Sequence, residues 1–347
     1  MLEAIGFRAE MAGCAAAADA SVGRVVRVDR GIATVLTEDG PVRVSFGSGV
    51  LADMARDPLT TPCTGDWVVV RAWPDRRHTL ETVLPRRTAL VRATAGRQSH
   101  GQVLAANVDL VAAVVALEPM PRISRVERLL AVAWDSGAQP LVVLTKADAV
   151  RDSALVAEDV AAVAPGVEVV CTSTVTGEGL DRLRDMLEGR RTLALIGASG
   201  HGKSSLTNAL VGAEVLSTRE IREDGRGRHT SVRRELVPLP TGGAVIDMPG
   251  LRGIGLTDSG EGMPHAFADV EALVAQCRFA DCGHHGEPGC AVQEALADGT
   301  LSVRRYESWQ KLQREIRWRS ARQDARLRAE RMREWKRRRR DAGNSRP

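Results

Sequence analysis

The stretch GASGHGKS occupies residues 197–204 and sets the interpretation of the whole chain. It follows an apolar run at residues 193–196, which predicts a buried strand, and it precedes residues 205–210, which predict the start of a helix. The complete pattern G-x-x-x-x-G-K-[ST] between a strand and a helix is typical of a phosphate-binding loop. The glycines let backbone N–H groups surround phosphate oxygens at a helix N-terminus.

The residues of this loop have different expected contacts with a nucleotide. We expect Lys203 to reach the β- and γ-phosphates of a nucleotide and the Ser204 hydroxyl to bind Mg²⁺. The remaining loop residues are expected to contact phosphate mainly through the backbone: Gly197, Ala198, Ser199, Gly200, His201 and Gly202.

A second motif predicts which base is bound. Residues 144–148 read LTKAD and resemble the N-K-x-D element that reads guanine. The Asp148 carboxylate can accept two hydrogen bonds from guanine, whereas adenine would leave it unpaired at a high cost. Lys146 is expected to pack along the base. Ala147 stands between Lys146 and Asp148 in the motif and belongs to the same predicted GTP-binding set. Thr145 replaces the usual Asn, so we expect a weaker connection to the phosphate loop. The alternative is an ATP-using enzyme, in which Asp148 has only a structural role.

Two further elements complete a nucleotide site. Ser173 and Thr174 follow the next predicted strand and resemble the S-A-K element, the alternative being a plain strand–helix turn. Residues 245–250, VIDMPG, match D-x-x-G. We expect Asp247 to hold Mg²⁺ through water and the Gly250 N–H to sense the γ-phosphate. Thr230 is the predicted second Mg²⁺ hydroxyl in the first switch, with Ser231 as the alternative.

The catalytic group is not evident from the motifs. Leu251 stands where familiar GTPases place the Gln that orients the attacking water, so slow intrinsic hydrolysis is expected. His229 and His201 are the candidate replacements within the motifs. The alternative for each is a histidine that packs or faces solvent.

The order of the motifs is circularly permuted, because the base-reading elements precede the phosphate loop. Alternating apolar runs and helical patterns predict a parallel doubly wound sheet, which brings all of these loops to one rim. Predicted strands cover residues 110–117, 141–144, 167–171 and 193–196, with predicted helices at 122–136, 155–164 and 180–187.

Different patterns flank this α/β region. Short β-rich runs at residues 25–28, 32–36, 42–46 and 67–70 predict a small barrel, for which an OB-fold and an SH3-like barrel are both compatible. After residue 262 the strand signal stops, and residues 270–277, 291–297 and 304–340 predict helices.

A compact set of metal ligands lies in the helical part. Cys277, Cys282, His284 and Cys290 have the spacing C-x₄-C-x-H-x₅-C, with His285 as an alternative to His284. Three thiolates and an imidazole suit tetrahedral Zn²⁺, and a site with four protein ligands is structural.

Charge is distributed unevenly along the chain. The net charge is +4, but residues 304–347 contain seventeen basic and six acidic residues, so this tail carries +11 and the preceding residues carry −7. Such a tail predicts contact with a polyanion such as nucleic acid, the alternative being a solvated helix. Trp309, Trp318 and Trp335 could stack on bases or pack the helix onto the metal module. Trp67 and Trp73 in the predicted barrel raise the same question, and core packing is expected for both. No targeting segment or membrane span is evident, which predicts a cytoplasmic protein.

The complete arrangement resembles the ribosome small-subunit-dependent GTPase A family. The resemblance covers residues 23–309 and rests on the permuted motifs and the Cys/His spacing. It implies an OB-fold barrel at residues 1–95, a GTPase domain at 96–258 and a zinc-binding helical domain at 259–347. It also implies that Ser205 joins the GTP-binding set. The implied function is late maturation of the 30S subunit with contact to 16S rRNA and subunit-stimulated GTP hydrolysis by a monomer; an RNA-binding switch with incidental hydrolysis is the alternative.

Overall fold

The computed structural model describes residues 1–8, 11, 13, 19–92, 101–216, 234–248, 260–318, 320–321 and 329. Within these residues, the chain forms an N-terminal barrel, a six-stranded α/β sheet and a C-terminal helical module. No helix in these ranges is long and apolar enough to cross a membrane.

The barrel has the topology of an OB-fold. Its five strands close in the order β1-β2-β3-β5-β4, with β3 and β5 parallel and helix α1 between β3 and β4. Buried valines and leucines from alternate strand positions fill its interior, which is the alternation expected of a small barrel. The elements are β1 (Ala20–Asp29), β2 (Ile32–Thr37), β3 (Gly40–Phe46), α1 (Ser48–Arg56), β4 (Trp67–Ala72) and β5 (His78–Val83).

A hairpin that the sequence analysis did not predict connects the barrel to the sheet. It consists of β6 (Ala89–Arg92) and β7 (Gln102–Ala106). Its strands have only four and five residues, so their apolar pattern gave a weak signal.

The α/β sheet has the strand order β10-β9-β8-β11-β13-β12. All neighbouring strands are parallel except β12, an antiparallel edge strand that the sequence analysis did not predict. The strands are β8 (Leu110–Ala116), β9 (Gln139–Thr145), β10 (Glu168–Thr172), β11 (Thr192–Ile196), β12 (Glu235–Pro238) and β13 (Ala244–Asp247). The helices are α2 (Ile123–Asp135), α3 (Ser153–Ala161), α4 (Leu180–Met186) and α5 (Lys203–Val211).

The central strands of this sheet carry the expected burial. Every residue of β8 is buried, as is every residue of β11 and β13. Strands covered by helices on both faces read as continuous apolar runs, which is why the sequence predicted them. The carboxyl ends of β9, β10, β11 and β13 therefore lie at one rim, where the motifs follow.

The helical module packs directly against α2. It contains α6 (Gly262–Ala266), α7 (Ala268–Ala275), α8 (Ala291–Ala297) and a helix at residues 303–318, here α9. The contact with α2 is so close at Gly262 that an added Cβ would lie 2.0 Å from the Ala131 carbonyl oxygen.

A buried ion-pair network fixes the same contact. Glu127 of α2 is fully buried and accepts hydrogen bonds from Arg305 at 2.9 Å and from Arg304 at 3.0 Å. Arg305 also donates to Asp269 at 2.7 Å, and its guanidinium stacks on the Phe267 ring at 4.3 Å. The α9 helix is thereby held to both α2 and α7.

A second buried arginine, Arg24, joins the barrel to the sheet. Its side chain is 1% exposed, donates to the carbonyl oxygens of Ile5 and Asn107, and lies 5.0 Å above the Trp67 ring. Burial lowers the pKa of this guanidinium to about 10, so it remains charged at neutral pH. Trp67 is a core residue as predicted. Trp73 is not: it is 37% exposed, with Arg71 over its ring.

Candidate functional site

The phosphate loop connects β11 to α5 and lies against β8. Gly197, Gly200 and Gly202 adopt φ values of 154°, 81° and 79°. A Cβ on Gly197 would lie 2.3 Å from the Val114 carbonyl oxygen, so only glycine permits this approach. The loop ends at Gly202, the residue before the first turn of α5, and its backbone N–H groups are available to an anion there.

Lys203 lies across this loop. Its Nζ donates to the carbonyl oxygens of Ala198 at 2.8 Å and Gly197 at 3.2 Å, and the residue is 6% exposed. Burial lowers the pKa of Lys203, and the nearby Asp247 carboxylate opposes that shift. The ammonium group therefore bonds to two carbonyls, contacts that a bound phosphate could replace.

Ser204 and Asp247 meet beside Lys203. The Ser204 Oγ donates to Asp247 Oδ2 at 2.6 Å, while Asp247 Oδ1 is buried without a hydrogen-bond partner among the described residues. Burial raises the pKa of Asp247, and both Ser204 and Lys203 counteract this. A hydroxyl, a carboxylate and an unsatisfied buried oxygen next to a phosphate loop suit Mg²⁺, which prefers oxygen ligands.

The predicted base-reading element lies on the same rim. Thr145 ends β9, Lys146 has a left-handed φ of 61°, and Asp148 lies in the single turn Ala147–Ala149. The buried Ser173 hydroxyl donates to Asp148 Oδ1 at 2.5 Å and accepts from the backbone N–H groups of residues 175 and 176. Ser173 thus orients the carboxylate, whereas Thr174 is exposed.

A direct hydrogen bond connects the two motifs. Thr145 Oγ1 donates to the His201 carbonyl oxygen at 2.9 Å. The hydroxyl alone therefore links the base-reading strand to the phosphate loop, although the sequence analysis expected this link to weaken without the Asn amide.

The His201 ring is directed at the sheet. Its Nδ1 lies 3.1 Å from the Val114 carbonyl oxygen, which requires a proton on Nδ1. Burial is the main cause of a lowered pKa for His201, and the charges of Arg125, Lys203 and Lys146 add to it. This geometry gives His201 a structural contact rather than a position for water activation. The predicted residues His229, Thr230, Ser231, Gly250 and Leu251 lie outside the described residues.

The predicted metal ligands come together in the helical module. One ligand atom from each of Cys277, Cys282, His284 and Cys290 lies within 4.8 Å of the others. His284 Nδ1 is 3.5 Å from the sulfurs of Cys277 and Cys290, which are themselves 3.9 Å apart. Tetrahedral Zn²⁺ with ordinary bond lengths requires S–S and S–N separations of about 3.8 and 3.6 Å, so the cluster fits this ion.

Neighbouring groups position the His284 ligand. Its φ is 59°, its carbonyl oxygen accepts a hydrogen bond from Gln293 at 2.7 Å, and Trp309 contacts its ring edge-on at 6.0 Å. His285 is not part of the cluster; its backbone N–H donates to Glu287. Trp309 packs α9 onto the Cys/His cluster, as one of the two predicted alternatives stated. Trp318 is 58% exposed, and Trp335 lies outside the described residues.

Sequence reasoning missed the residues that hold these sites together. Arg24, Glu127 and Arg305 are charged residues that the structure buries. A lone charged residue within an apolar pattern is the signal that could have revealed Arg24 and Glu127, but its partner is distant in sequence.

Motif order, sheet topology and geometry together define a circularly permuted P-loop GTPase. The family model described as RsgA GTPase matches residues 83–257. The chain belongs to the RsgA GTPase family.

Similar proteins agree with this membership. The chain is 50% identical over 324 residues to "Small ribosomal subunit biogenesis GTPase RsgA" of Streptomyces coelicolor, covering 91% of this chain and 86% of that protein. It is 42% identical to a protein of Lactiplantibacillus plantarum named "Small ribosomal subunit biogenesis GTPase RsgA 2", covering 85% and 83%.

Two solved structures share the fold. YjeQ from Thermotoga maritima has a TM-score of 0.62 and 27% identity, with 86% of this chain and 98% of that chain covered. YloQ, described as a circularly permuted GTPase, has a TM-score of 0.58 and 25% identity, with 86% and 96% covered.

Proposed function

We propose that this chain is a GTP hydrolase that binds the small (30S) ribosomal subunit and assists its late maturation, with hydrolysis stimulated by the subunit. The observation that carries the proposal is the placement of Asp148 and the phosphate loop on one rim, joined by the Thr145–His201 bond. The names of the relatives supply the subunit as the partner.

The nucleotide contacts follow from this rim. Asp148 reads guanine, Lys146 packs on the base and Lys203 neutralises the β- and γ-phosphates. Mg²⁺, when bound, stabilises the charge that develops on the phosphates; Ser204, Asp247 and Thr230 hold it, and Gly250 senses the γ-phosphate. The full GTP-binding set is Thr145, Lys146, Ala147, Asp148, Ser173, Thr174, Gly197, Ala198, Ser199, Gly200, His201, Gly202, Lys203, Ser204 and Ser205.

The catalytic group is either His229, the candidate that remains within the motifs, or a group supplied by the 30S subunit. The contact between His201 and Val114 argues against His201, which leaves His229 within this chain. A group supplied by the subunit accounts equally well for the predicted stimulation, because Leu251 cannot orient water.

We further propose that the Cys/His cluster binds one structural Zn²⁺, supported by the match of its 3.5 and 3.9 Å separations to tetrahedral geometry. The protein is proposed to act in the cytoplasm as a monomer that cycles between GTP and GDP and contacts 16S rRNA. Its proposed domains are residues 1–95, 96–258 and 259–347.

The test is the GTP hydrolysis rate with and without purified 30S subunits. A rate increase with 30S subunits, but not with purified 50S subunits, is expected. Lys203→Ala provides the control for contaminating GTPases, because any stimulation that survives in this variant does not arise from the phosphate loop. A wild-type rate that clean 30S subunits leave unchanged contradicts the proposal.

An RNA-binding switch in which hydrolysis is incidental is the second candidate. It is favoured by Leu251, which stands where familiar GTPases place the Gln that orients the attacking water. Complementation separates the two: if Lys203→Ala still supports subunit maturation in a strain lacking the wild-type protein, hydrolysis is not the function.

A further inference from the structure

A cavity of about 330 Å³ lies next to the phosphate loop, and apart from His201 its lining belongs to none of the motifs above. It is formed by the loop that follows β8, by the first turn of α2 and by His201. The lining residues that matter here are Pro119, Met120, Pro121, Arg122, Arg125 and His201. Its volume is at the lower end of the range of ligand pockets, which begins at about 300 Å³.

The apolar part of the lining is unusually accessible. Met120 is 70% exposed between two prolines, although an apolar side chain of this size normally gains from burial. Thioether sulfurs and proline rings pack well against flat aromatic groups. This part of the cavity therefore suits a planar apolar surface.

The opposite part of the lining is cationic. Arg122 precedes α2 and Arg125 lies in its first turn, and both are exposed. Arg125 is close enough to His201 for its charge to lower the pKa of that ring. Cations are unfavourable next to a helix N-terminus, so an anion bound between them stabilises this arrangement.

His201 adds a hydrogen-bond acceptor. Because Nδ1 donates its proton to the Val114 carbonyl oxygen, Nε2 is the acceptor of the neutral ring. Base edges of nucleic acids carry amino and imino donors that can match such an acceptor. An acidic peptide could also pair with the arginines, but its carboxylate side chains have no planar ring to lie against Met120 and the prolines.

We propose that this cavity binds one unpaired nucleotide of RNA, with the base against Met120 and the prolines and the phosphate between Arg122 and Arg125. The proposal deepens the proposed function and rests on it, since the RNA is that of the small subunit. Single-stranded RNA is recognised by such combinations of stacking and cationic contacts.

A nucleotide bound in the cavity acts on the phosphate loop through His201. His201 contributes its ring to the cavity and its carbonyl oxygen to the bond from Thr145. A base that contacts the ring therefore restrains the loop that surrounds the nucleotide phosphates. Coupling of this kind is reciprocal, so the nucleotide state alters the affinity for RNA by the same factor.

The first test removes the cationic part. In Arg122→Ala/Arg125→Ala, basal GTP hydrolysis is expected to stay within about twofold of wild type, while stimulation by 30S subunits falls at least about fivefold. The slope of log subunit affinity against log salt should decrease by about 0.7, because the contact with one phosphate of a single strand is lost. Arg182→Ala is the matched control, because Arg182 is an exposed arginine of α4 paired with Glu168. Full stimulation of the double variant overturns the proposal.

The second test identifies the occupant. A photoreactive benzoylphenylalanine replaces Met120, and a control chain carries it at Leu155, which is 59% exposed on α3. Irradiation with bound 30S subunits is expected to cross-link position 120 to RNA and position 155 to nothing. Cross-linking of position 120 to a ribosomal protein, or no cross-link in a complex whose hydrolysis is stimulated, overturns the proposal. If the wild-type chain is neither stimulated nor bound, the proposed function itself fails.

Discussion

The Thr145 hydroxyl donates a hydrogen bond to the His201 carbonyl oxygen across 2.9 Å. This bond connects the strand that presents Asp148 to the loop that surrounds the phosphates, two segments separated by 56 positions in sequence. It shows that a Thr in place of Asn preserves the link with a single hydroxyl. The geometry of the base site and that of the phosphate site are therefore set together.

Removing this hydroxyl tests the link. Thr145→Val keeps the shape of the side chain but leaves the His201 carbonyl without its donor. We expect GDP affinity to fall about 5- to 10-fold, which corresponds to about 1 kcal/mol for one hydrogen bond. Calorimetric titration of GDP measures this. Thr145→Ser retains the hydroxyl and should bind as wild type; equal affinity in the Val variant contradicts the assigned role.

Asp148→Asn tests base recognition. An amide in place of the carboxylate cannot accept both guanine hydrogen bonds, so GTP affinity should fall by about 3 kcal/mol, roughly a hundredfold. Xanthosine triphosphate should become the preferred nucleotide, as competition binding will show. Ser173→Ala removes only the hydroxyl that orients the carboxylate and should weaken GTP binding without changing the preference. An unchanged preference in Asp148→Asn means that Asp148 does not read the base.

The buried Glu127–Arg305 pair predicts a large effect on stability. Glu127→Leu leaves Arg305 buried with Asp269 as its remaining acidic partner, and removal of one member of a buried pair costs about 3–5 kcal/mol. Urea unfolding should detect this loss, and Glu127→Leu/Arg305→Leu should recover part of it. Arg304→Ala is the control, because the Arg304 side chain is 44% exposed and contributes little. Equal losses for Glu127→Leu and Arg304→Ala contradict a stabilising role of the buried pair.

The depressed pKa of His201 predicts a dependence of stability on pH. Burial favours the neutral ring in the folded chain, so below the ordinary histidine pKa of about 6.5 the unfolded chain binds the additional proton. Stability is then fully present above this pH and is lost as the pH falls through the folded pKa. His201→Val should lose less unfolding free energy than wild type between pH 7 and pH 5, as urea unfolding at each pH will measure. Parallel profiles for the two proteins exclude this contribution.

The proposed zinc site predicts that removal of one ligand lowers both the metal content and the stability of the protein. Cys290→Ser removes a buried ligand of the Cys/His cluster. We expect the zinc content to fall from about one ion per chain towards zero and the Tm to decrease, because metal binding contributes folding free energy. Mass spectrometry of metals and thermal unfolding measure both. Cys171→Ser, a change at a cysteine outside the cluster, should retain the metal; zinc retention in Cys290→Ser contradicts the proposed site.

Features that a continuous stretch of residues encodes could be predicted from the sequence, and features without a strong local pattern could not. The phosphate loop, the four metal ligands and the strands β8 and β11 are encoded by contiguous residues whose spacing fixes their geometry, so motif and periodicity predicted them. The edge strand β12 and the β6–β7 hairpin were missed because their strands are only four or five residues long, too short for a clear periodic pattern. Trp73 was expected in the core, but the barrel places it at the surface beneath Arg71.

The sequence by itself determined the residue types of the proposed sites: a phosphate-loop motif, a carboxylate proposed to read guanine and a Cys/His set proposed to bind a metal, each a local pattern. Only the tertiary structure decided how these parts are connected. It placed the His201 ring on Val114 rather than on the phosphates, gave Thr145 its bond to the phosphate loop, and buried Glu127 with Arg305 to hold the helical module on α2. These contacts depend on distances between residues far apart in the chain, which packing sets and local patterns do not encode.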